Sequence, residues 1–238
     1  MHSNRYTLLY ASGLSVVTAI LLAVAAEALK PAQEANVALE KKANILRSVR
    51  LDFDDRRQIE QTYAERVREL VVDGSGNVIN GATVADLDAE ATPPTDPKQH
   101  RMALYEYTHE DGKKYYVVPL RGTGLWGPIW GYVSLANDFD TVYGAYFDHK
   151  GETPGLGAEI AETPFQEQFQ GKKIRSSDGQ FVSVRVLKAA DKTPVGADHR
   201  VDAISGGTIT SRGTDLMLRD GIQPYLPYFE NLKKRPTS

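Results

Sequence analysis

The run of small and hydroxyl-bearing residues at 202–211 has the composition of an anion-binding loop. Two adjacent glycines, Gly206 and Gly207, free its backbone to bend and let an anion approach the N–H groups closely. Four hydroxyl side chains lie around them within seven residues: Ser205, Thr208, Thr210 and Ser211. Apolar residues at helical spacing follow, so the segment predicts a phosphate site at the start of a helix, where the first N–H groups lack partners. A Ser/Gly turn that only caps this helix is the alternative.

A second stretch at 151–159 is also rich in glycine and has the sequence Gly-Glu-Thr-Pro-Gly-Leu-Gly-Ala-Glu. Gly155 and Gly157 would let the backbone approach a bound group, and Glu152 and Thr153 could supply polar contacts to it. A type II turn, with proline at its second position and glycine at its third, explains the same residues without a ligand.

Apolar residues in and near these stretches could form an apolar slot for a bound group, because ligand pockets are mostly apolar with few placed polar groups. The candidates are Leu125 and Trp126, in the Gly-Leu-Trp-Gly segment at 124–127, together with Leu156 and Ile160. A packed turn that closes a strand is the alternative interpretation of the 124–127 segment.

The segment from Asp202 to Thr208, Asp-Ala-Ile-Ser-Gly-Gly-Thr, resembles the flavinylation motif of the FMN-binding domain family, Asp-x-x-(Ser/Thr)-Gly-Ala-(Ser/Thr). In that family the last hydroxyl residue carries FMN through a phosphoester bond, so the resemblance implies covalent FMN on Thr208. Gly207 stands where the family usually has alanine, a difference of one methyl group. Asp202 would either activate the threonine as a base or orient the loop. Glu-Thr-Pro-Gly-Leu-Gly at 152–157 is similar to a second family segment, in the family's order.

These motifs, the apolar N-terminus and the Gly-Leu-Trp-Gly segment resemble the C subunits of sodium-translocating NADH:quinone reductases. The resemblance implies an electron-transfer subunit in a membrane complex that oxidises NADH, reduces quinone and exports sodium, with no complete activity in this chain alone. It implies other membrane subunits as partners and a separate flavin transferase that attaches the FMN. Two alternatives remain open: the G subunit of an Rnf-type ferredoxin–NAD complex, and a membrane-anchored binding or sensor module without flavin.

Composition excludes several other classes of function. The chain of 238 residues has no cysteine, which rules out disulfides, thiolate metal sites, iron–sulfur clusters and flavin attachment through sulfur. A net charge of −3 without a large basic block argues against nucleic acid as a partner. The five histidines are not at metal-ligand spacing, and no nucleophile elbow accompanies a Ser-His-Asp set. We therefore expect no metal site and no catalytic residue of a hydrolase.

An uncharged run of 21 residues, Tyr6–Ala26, is long enough to cross a bilayer as one helix, which requires roughly 20 residues. A cleaved signal peptide is the competing interpretation, because Ala23-Val24-Ala25 has the small-x-small pattern of a cleavage site. The basic residues after the run would by themselves favour a cytoplasmic globular domain. The family resemblance implies the opposite, a single-pass protein of the bacterial inner membrane with its globular domain on the periplasmic side.

The remaining pattern predicts an α+β fold, in which a single N-terminal transmembrane helix precedes a globular domain with a twisted, largely antiparallel sheet and flanking helices. We expect an anchor over 1–30, a helical connector over 31–72 and an FMN-binding domain over 73–238. In the connector, one helix begins at Pro31, and a second is capped by Asp54 or Asp55 and extends through Leu70. A loop is predicted at 92–97, and strands are predicted at 102–108, 114–120, 130–135, 141–148 and 182–187.

Overall fold

The computed structural model describes residues 4–89 and 100–234, so the predicted loop at 92–97 lies outside the described residues. The chain divides into two units, Met1–Lys42 and Ala43–Ser238. The predicted limits of the anchor, connector and globular domain, at 1–30, 31–72 and 73–238, stay a prediction.

Helix α1 (Asn4–Ser48) forms the described part of the first unit with its residues 4–42. Its last residues, 43–48, belong to the second unit. Pro31 lies inside α1, so the predicted helix start at Pro31 is wrong. Strong helix formers on both sides of the proline, mainly Ala, Leu, Glu and Lys, continue the helix although one backbone hydrogen bond is missing. Among the described residues, α1 is the one helix long and apolar enough to cross a membrane, and its most apolar 18-residue window has a mean hydropathy of 2.2.

The second unit is built on a five-stranded sheet in which neighbours in sequence are neighbours in space and every pair is antiparallel. Its strands are β1 (Val67–Asp73), β2 (Arg101–Thr108), β3 (Lys114–Thr123), β4 (Pro128–Leu135) and β5 (Val142–His149). The predicted strands at 102–108, 114–120, 130–135 and 141–148 are confirmed as β2 to β5.

Strand β1 was not expected, because the sequence predicted a helix through Leu70. Helix α2 (Arg56–Arg66) begins as predicted after Asp55, whose carboxylate accepts a hydrogen bond from the N–H of Arg57. The helix ends at Arg66, and the next residues pair with β2 as an edge strand. The run Val-Arg-Glu-Leu-Val-Val is rich in β-branched residues, and this favours the strand where a partner is present.

Helices cover the main core of the sheet. The remaining helices are α3 (Val84–Ala89), α4 (Thr163–Gln166), α5 (Thr208–Ile222) and α6 (Leu226–Lys233). Side chains alternate along each strand, so Val118 joins the core that contains Met217 and Phe229, while its neighbour Val117 is buried but lies outside that core. The predicted α+β fold with an antiparallel sheet and flanking helices is therefore confirmed.

A short parallel pair, β6 (Arg185–Leu187) and β7 (Arg200–Asp202), leads the chain to α5. The predicted strand at 182–187 is shorter than expected, because Ser183 has a φ of 61° and leaves the extended conformation. The N–H groups of Val182 and Ser183 both donate to the carbonyl of Ile174. Strand β7 then delivers the hydroxyl-rich loop to the start of α5.

Candidate functional site

Three segments that are distant in sequence meet at a cavity of about 200 Å³: the turn after β3, the loop after β5 and the start of α5. The antiparallel pairing of β3 with β4 and of β4 with β5 brings the first two segments to one end of the sheet. The cavity is lined by Leu125, Trp126, Glu152, Thr153, Leu156, Gly157, Gly206, Gly207, Thr208, Ile209 and Thr210. The structure thus joins most of the residues that the sequence nominated as site residues.

Glu152 connects the three segments. The residue is 5% exposed, and its two carboxylate oxygens accept hydrogen bonds from different neighbours. Oε1 accepts from the backbone N–H of Trp126 at 2.8 Å, and Oε2 accepts from the hydroxyl of Thr210 at 2.5 Å. The backbone N–H of Glu152 donates to Nδ1 of His149 at 3.1 Å. A buried carboxylate needs such donors, so Glu152 fixes the relative positions of these segments.

Two glycines leave space for this carboxylate. A Cβ at Gly124 would lie 2.5 Å from Oε1 of Glu152, and a Cβ at Gly157 would collide with Oε2 and with the hydroxyl of Thr210. Both contacts are far inside van der Waals distance, so a larger residue at either position would displace the carboxylate. The glycines of the two motifs therefore serve the packing of Glu152 as well as access to the cavity.

The start of α5 has the geometry of an anion site. Gly206 adopts a φ of 75°, which favours glycine, and Gly207 precedes the first helical residue, Thr208. The N–H of Ser211 donates to the carbonyl of Gly207 at 2.8 Å and begins the helical ladder. The N–H groups of 208–210 precede that bond, in the turn where helices have unpaired donors and the positive end of the dipole. This is the end of α5 that lines the cavity.

The four hydroxyls of the loop differ in availability. Thr210 is 1% exposed and donates to Glu152, while the buried Ser211 Oγ accepts from the N–H of Ile204 at 3.0 Å. Thr208 and Ser205 are exposed, and neither hydroxyl has a hydrogen-bond partner within residues 4–89 and 100–234. Of these two, Thr208 lines the cavity and Ser205 does not.

Four large apolar side chains remain exposed around the cavity: Leu125, Trp126, Leu156 and Ile209. Trp126 is 68% exposed, an unusual value for so large an aromatic side chain. Sequence reasoning missed Ile209, although its place directly after Thr208 was a usable signal. Ile160, a candidate for the same slot, is wrong in that role, because it is fully buried in the main core and does not line the cavity.

Three predicted site residues lie outside the lining of the cavity. Asp202 ends β7 with an exposed side chain, and its backbone N–H donates to Oε1 of Gln168 at 2.8 Å. Gly155 has a φ of 75° and donates its N–H to Oε1 of Glu159 at 3.0 Å, as a turn residue would. Ser205 is the third. Their assignment to a binding site stays a prediction.

Helix α5 is fixed to the rest of the unit by an ion pair that sequence reasoning missed. The Asp215 carboxylate accepts from Nε of Arg185 at 2.8 Å, from its second guanidinium nitrogen at 3.0 Å and from the N–H of Val186 at 2.9 Å. Hydrogen bonding to Asp215 raises the pKa of the Arg185 guanidinium. The ion pair holds α5 against β6, so the Thr208 end of the helix is carried on a rigid element.

A second, larger groove of about 550 Å³ was also not predicted. It is lined by Arg47, Arg50, Leu51, Asp52, Tyr143, Gly144, Ala145, Tyr146, Ala161, Thr163, Gln166, Glu167 and Gln170. The Arg47 guanidinium lies 5.7 Å from the ring centre of Tyr146, and that of Arg50 lies 5.5 Å from the ring centre of Tyr143. Burial raises the pKa of Tyr146 to about 12. None of the predicted site residues lies in this groove.

Comparison with known proteins identifies the family. A model of the FMN-binding domain matches residues 124–223, which include all three segments of the smaller cavity. The C subunit of the Na(+)-translocating NADH-quinone reductase of Vibrio alginolyticus is 31% identical, with 94% of each chain covered. That of Haemophilus ducreyi is 32% identical, with 91% of each chain covered. The chain belongs to this family of C subunits.

Solved structures from the same family agree with the fold. The crystal structure of the C subunit from Parabacteroides distasonis is 36% identical and covers 84% of this chain and 96% of its own, with a TM-score of 0.73. Shewanella oneidensis NqrC is 26% identical and covers 82% of this chain and 97% of its own, with a TM-score of 0.70. The resemblance found in the motifs is thereby confirmed.

Proposed function

We propose that this chain is an electron-transfer subunit that carries FMN covalently on Thr208. One observation carries the proposal: the cavity combines an exposed threonine hydroxyl, without a hydrogen-bond partner in the described part of the chain, with the N-terminal end of a helix and an apolar rim. The family assignment and the match to the FMN-binding domain support FMN as the group that occupies it.

The residues of the site fit the parts of FMN. The first-turn N–H groups of α5 and its dipole would bind the phosphate. Leu125, Trp126, Leu156 and Ile209 offer exposed apolar surface for the flavin ring. Bound there, the flavin would accept electrons from one partner and pass them to another, which is chemistry that the protein side chains cannot supply.

Availability of hydroxyls supports Thr208 as the attachment residue. A phosphoester requires an oxygen nucleophile, and Thr210 and Ser211 are both buried and hydrogen-bonded. In the proposed reaction a separate flavin transferase uses FAD: the Thr208 oxygen bonds to the FMN phosphorus, the pyrophosphate bond breaks, and AMP leaves. The hydroxyl proton passes to a base of the transferase or to solvent.

Thr208→Val tests the attachment, because valine has nearly the shape of threonine but no hydroxyl. After expression with the flavin transferase, we expect the intact mass of Thr208→Val to lack FMN entirely, while Thr208→Ser retains part of it. Ser205→Ala is the matched control, since it removes the other exposed hydroxyl and should keep full attachment. A flavin adduct that survives in Thr208→Val, or that maps to Ser205, would overturn the assignment.

We further propose that the complex around this chain oxidises NADH, reduces quinone and exports sodium, as the names of its relatives describe for them. The assignment to the family of C subunits favours this complex over an Rnf-type ferredoxin–NAD complex. Purification from membranes tests it: NADH-dependent, sodium-stimulated quinone reduction should accompany the chain, whereas ferredoxin-dependent NAD reduction would contradict it.

The apolar part of α1 supports a single-pass anchor. We propose that the globular unit lies on the periplasmic side, as the family resemblance implies. We expect the full chain to sediment with membranes and a chain that begins near Lys30 to remain in the supernatant. Added protease should digest the globular unit in spheroplasts but not in inverted vesicles. The reverse pattern would place the unit in the cytoplasm, and an N-terminus beginning near Ala26 would show that the segment is cleaved.

A further inference from the structure

Glu152 is the one ionisable residue among those that line the smaller cavity in the described part of the chain. It is nearly inaccessible to water and makes no ion pair within residues 4–89 and 100–234. Both of its carboxylate oxygens are held by uncharged donors, the N–H of Trp126 and the hydroxyl of Thr210. The carboxyl group is therefore fixed in place beside the cavity, and no cationic side chain within the described ranges is paired with it.

We propose that Glu152 is a positioning residue with two effects on a flavin in this cavity. The inference rests on the proposed function and deepens it. First, the carboxylate ties the Trp126 turn to α5, so that the apolar rim and the Thr208 end of the helix keep one geometry. Second, its buried negative charge lowers the reduction potential of the flavin.

The sign of the second effect follows from charge balance. Two-electron reduction of the flavin takes two electrons, which a donor in the complex supplies, and one or two protons from solvent. A fixed negative charge nearby disfavours the arrival of electrons, and the low local dielectric strengthens this repulsion. Charges close to a flavin ring are an established way in which proteins adjust its electronics. The carboxylate should therefore stabilise the oxidised flavin relative to the reduced flavin.

The geometry also separates the two effects experimentally. Gln at position 152 is nearly isosteric and can still accept from the Trp126 N–H, so Glu152→Gln removes the charge and keeps that link. Thr210→Val keeps the charge and removes the hydroxyl that links Oε2 to α5. Glu159→Gln is a matched control, because Glu159 lies on the same segment and accepts from the Gly155 N–H but does not line the cavity.

The decisive measurement is a potentiometric titration with dithionite of the full-length, FMN-loaded protein in detergent. We expect Glu152→Gln to retain covalent FMN and to shift the equilibrium at least tenfold toward the reduced form, which is about 30 mV for a two-electron couple. Glu159→Gln should shift it less than twofold, and Thr210→Val less than threefold. An unchanged potential in Glu152→Gln, or an equal shift in Glu159→Gln, would overturn the electrostatic effect.

A second measurement follows the link without any flavin. In a Trp130→Phe background, Trp126 is the one remaining tryptophan. Trp126 is already 68% exposed, so the measurement follows the motion of its ring and not its accessibility. We expect the steady-state fluorescence anisotropy of Trp126 to be lower in Glu152→Ala than in the parent or in Glu152→Gln, because loss of the acceptor for the Trp126 N–H frees the turn. Equal anisotropy in all three would overturn the positioning effect. If the parent protein itself carries no FMN by intact mass, the proposed function fails, and this anisotropy result still decides the positioning effect.

Discussion

Two concave regions in the described part of the globular unit differ in volume and in how their side chains are engaged. The groove at the end of α1 has a volume of about 550 Å³, and the cavity at the start of α5 has about 200 Å³. Side chains in the groove are engaged with one another, as in the Arg47–Asp52 ion pair, or with backbone carbonyls, as in Gln166. The cavity instead presents a hydroxyl without a partner in the described part of the chain and an open helix end. Polar groups that are available to a ligand therefore indicate the candidate site better than the volume of the concave region does.

Among the substitutions that compare the cavity with the groove, Gly157→Ala should have the largest effect on stability and on FMN content. The added methyl group would collide with Glu152 and Thr210, so we expect the unfolding free energy to fall by about 1–3 kcal/mol. The FMN content should fall with it. Urea denaturation and intact mass measure the two effects.

Gly151→Ala is the control for that substitution. Gly151 lies on the same segment, its φ is not in the left-handed region, and a Cβ there would meet nothing within 4 Å. We expect its unfolding free energy to stay within about 0.5 kcal/mol of the parent. Equal losses in both variants would mean that the segment tolerates no side chain and that Glu152 is not the cause.

Trp126→Ala and Leu156→Ala should have an intermediate effect. Both remove exposed apolar surface at the cavity without touching the attachment oxygen, so we expect FMN to stay attached while its visible absorption and reduction potential change. Tyr146→Phe changes the groove by a single hydroxyl and should leave both properties as they are. Flavin properties that respond to Tyr146 but not to Trp126 would reverse the assignment of the two regions.

Arg50→Gly should have the smallest effect. Arg50 has a φ of 65°, and glycine would relieve strain of about 1–2 kcal/mol. The substitution also loses the contact with Tyr143, worth about 0.5–1 kcal/mol at an exposed site, and makes the unfolded chain more flexible. We expect a net change in unfolding free energy below about 1 kcal/mol, with unaltered FMN content by intact mass. Loss of FMN would show that the groove contributes to flavin binding.

The sequence predicted features that depend on local pattern. A hairpin turn and runs rich in aromatic and β-branched residues predicted β2 to β5, and the two glycine motifs supplied most of the residues that line the cavity. It did not predict β1, because the choice of strand over helix at 67–73 depends on pairing with β2. It also assigned Glu152 to contacts with the flavin ring. The link from Glu152 to Thr210 spans 58 residues and arises only when the sheet and α5 pack together.

The contact between α6 and the turn after β1 has a consequence for the order of events in biosynthesis. Asn231 donates to the carbonyls of Ser75 at 3.3 Å and Gly76 at 3.0 Å, partners that lie about 155 residues earlier. At about 5–20 residues per second, the ribosome needs roughly 8–30 s to supply that partner after it has made the turn. Helix α5, made just before α6, is equally late. The structured site that a flavin transferase would act on therefore exists only once synthesis of the chain is nearly complete.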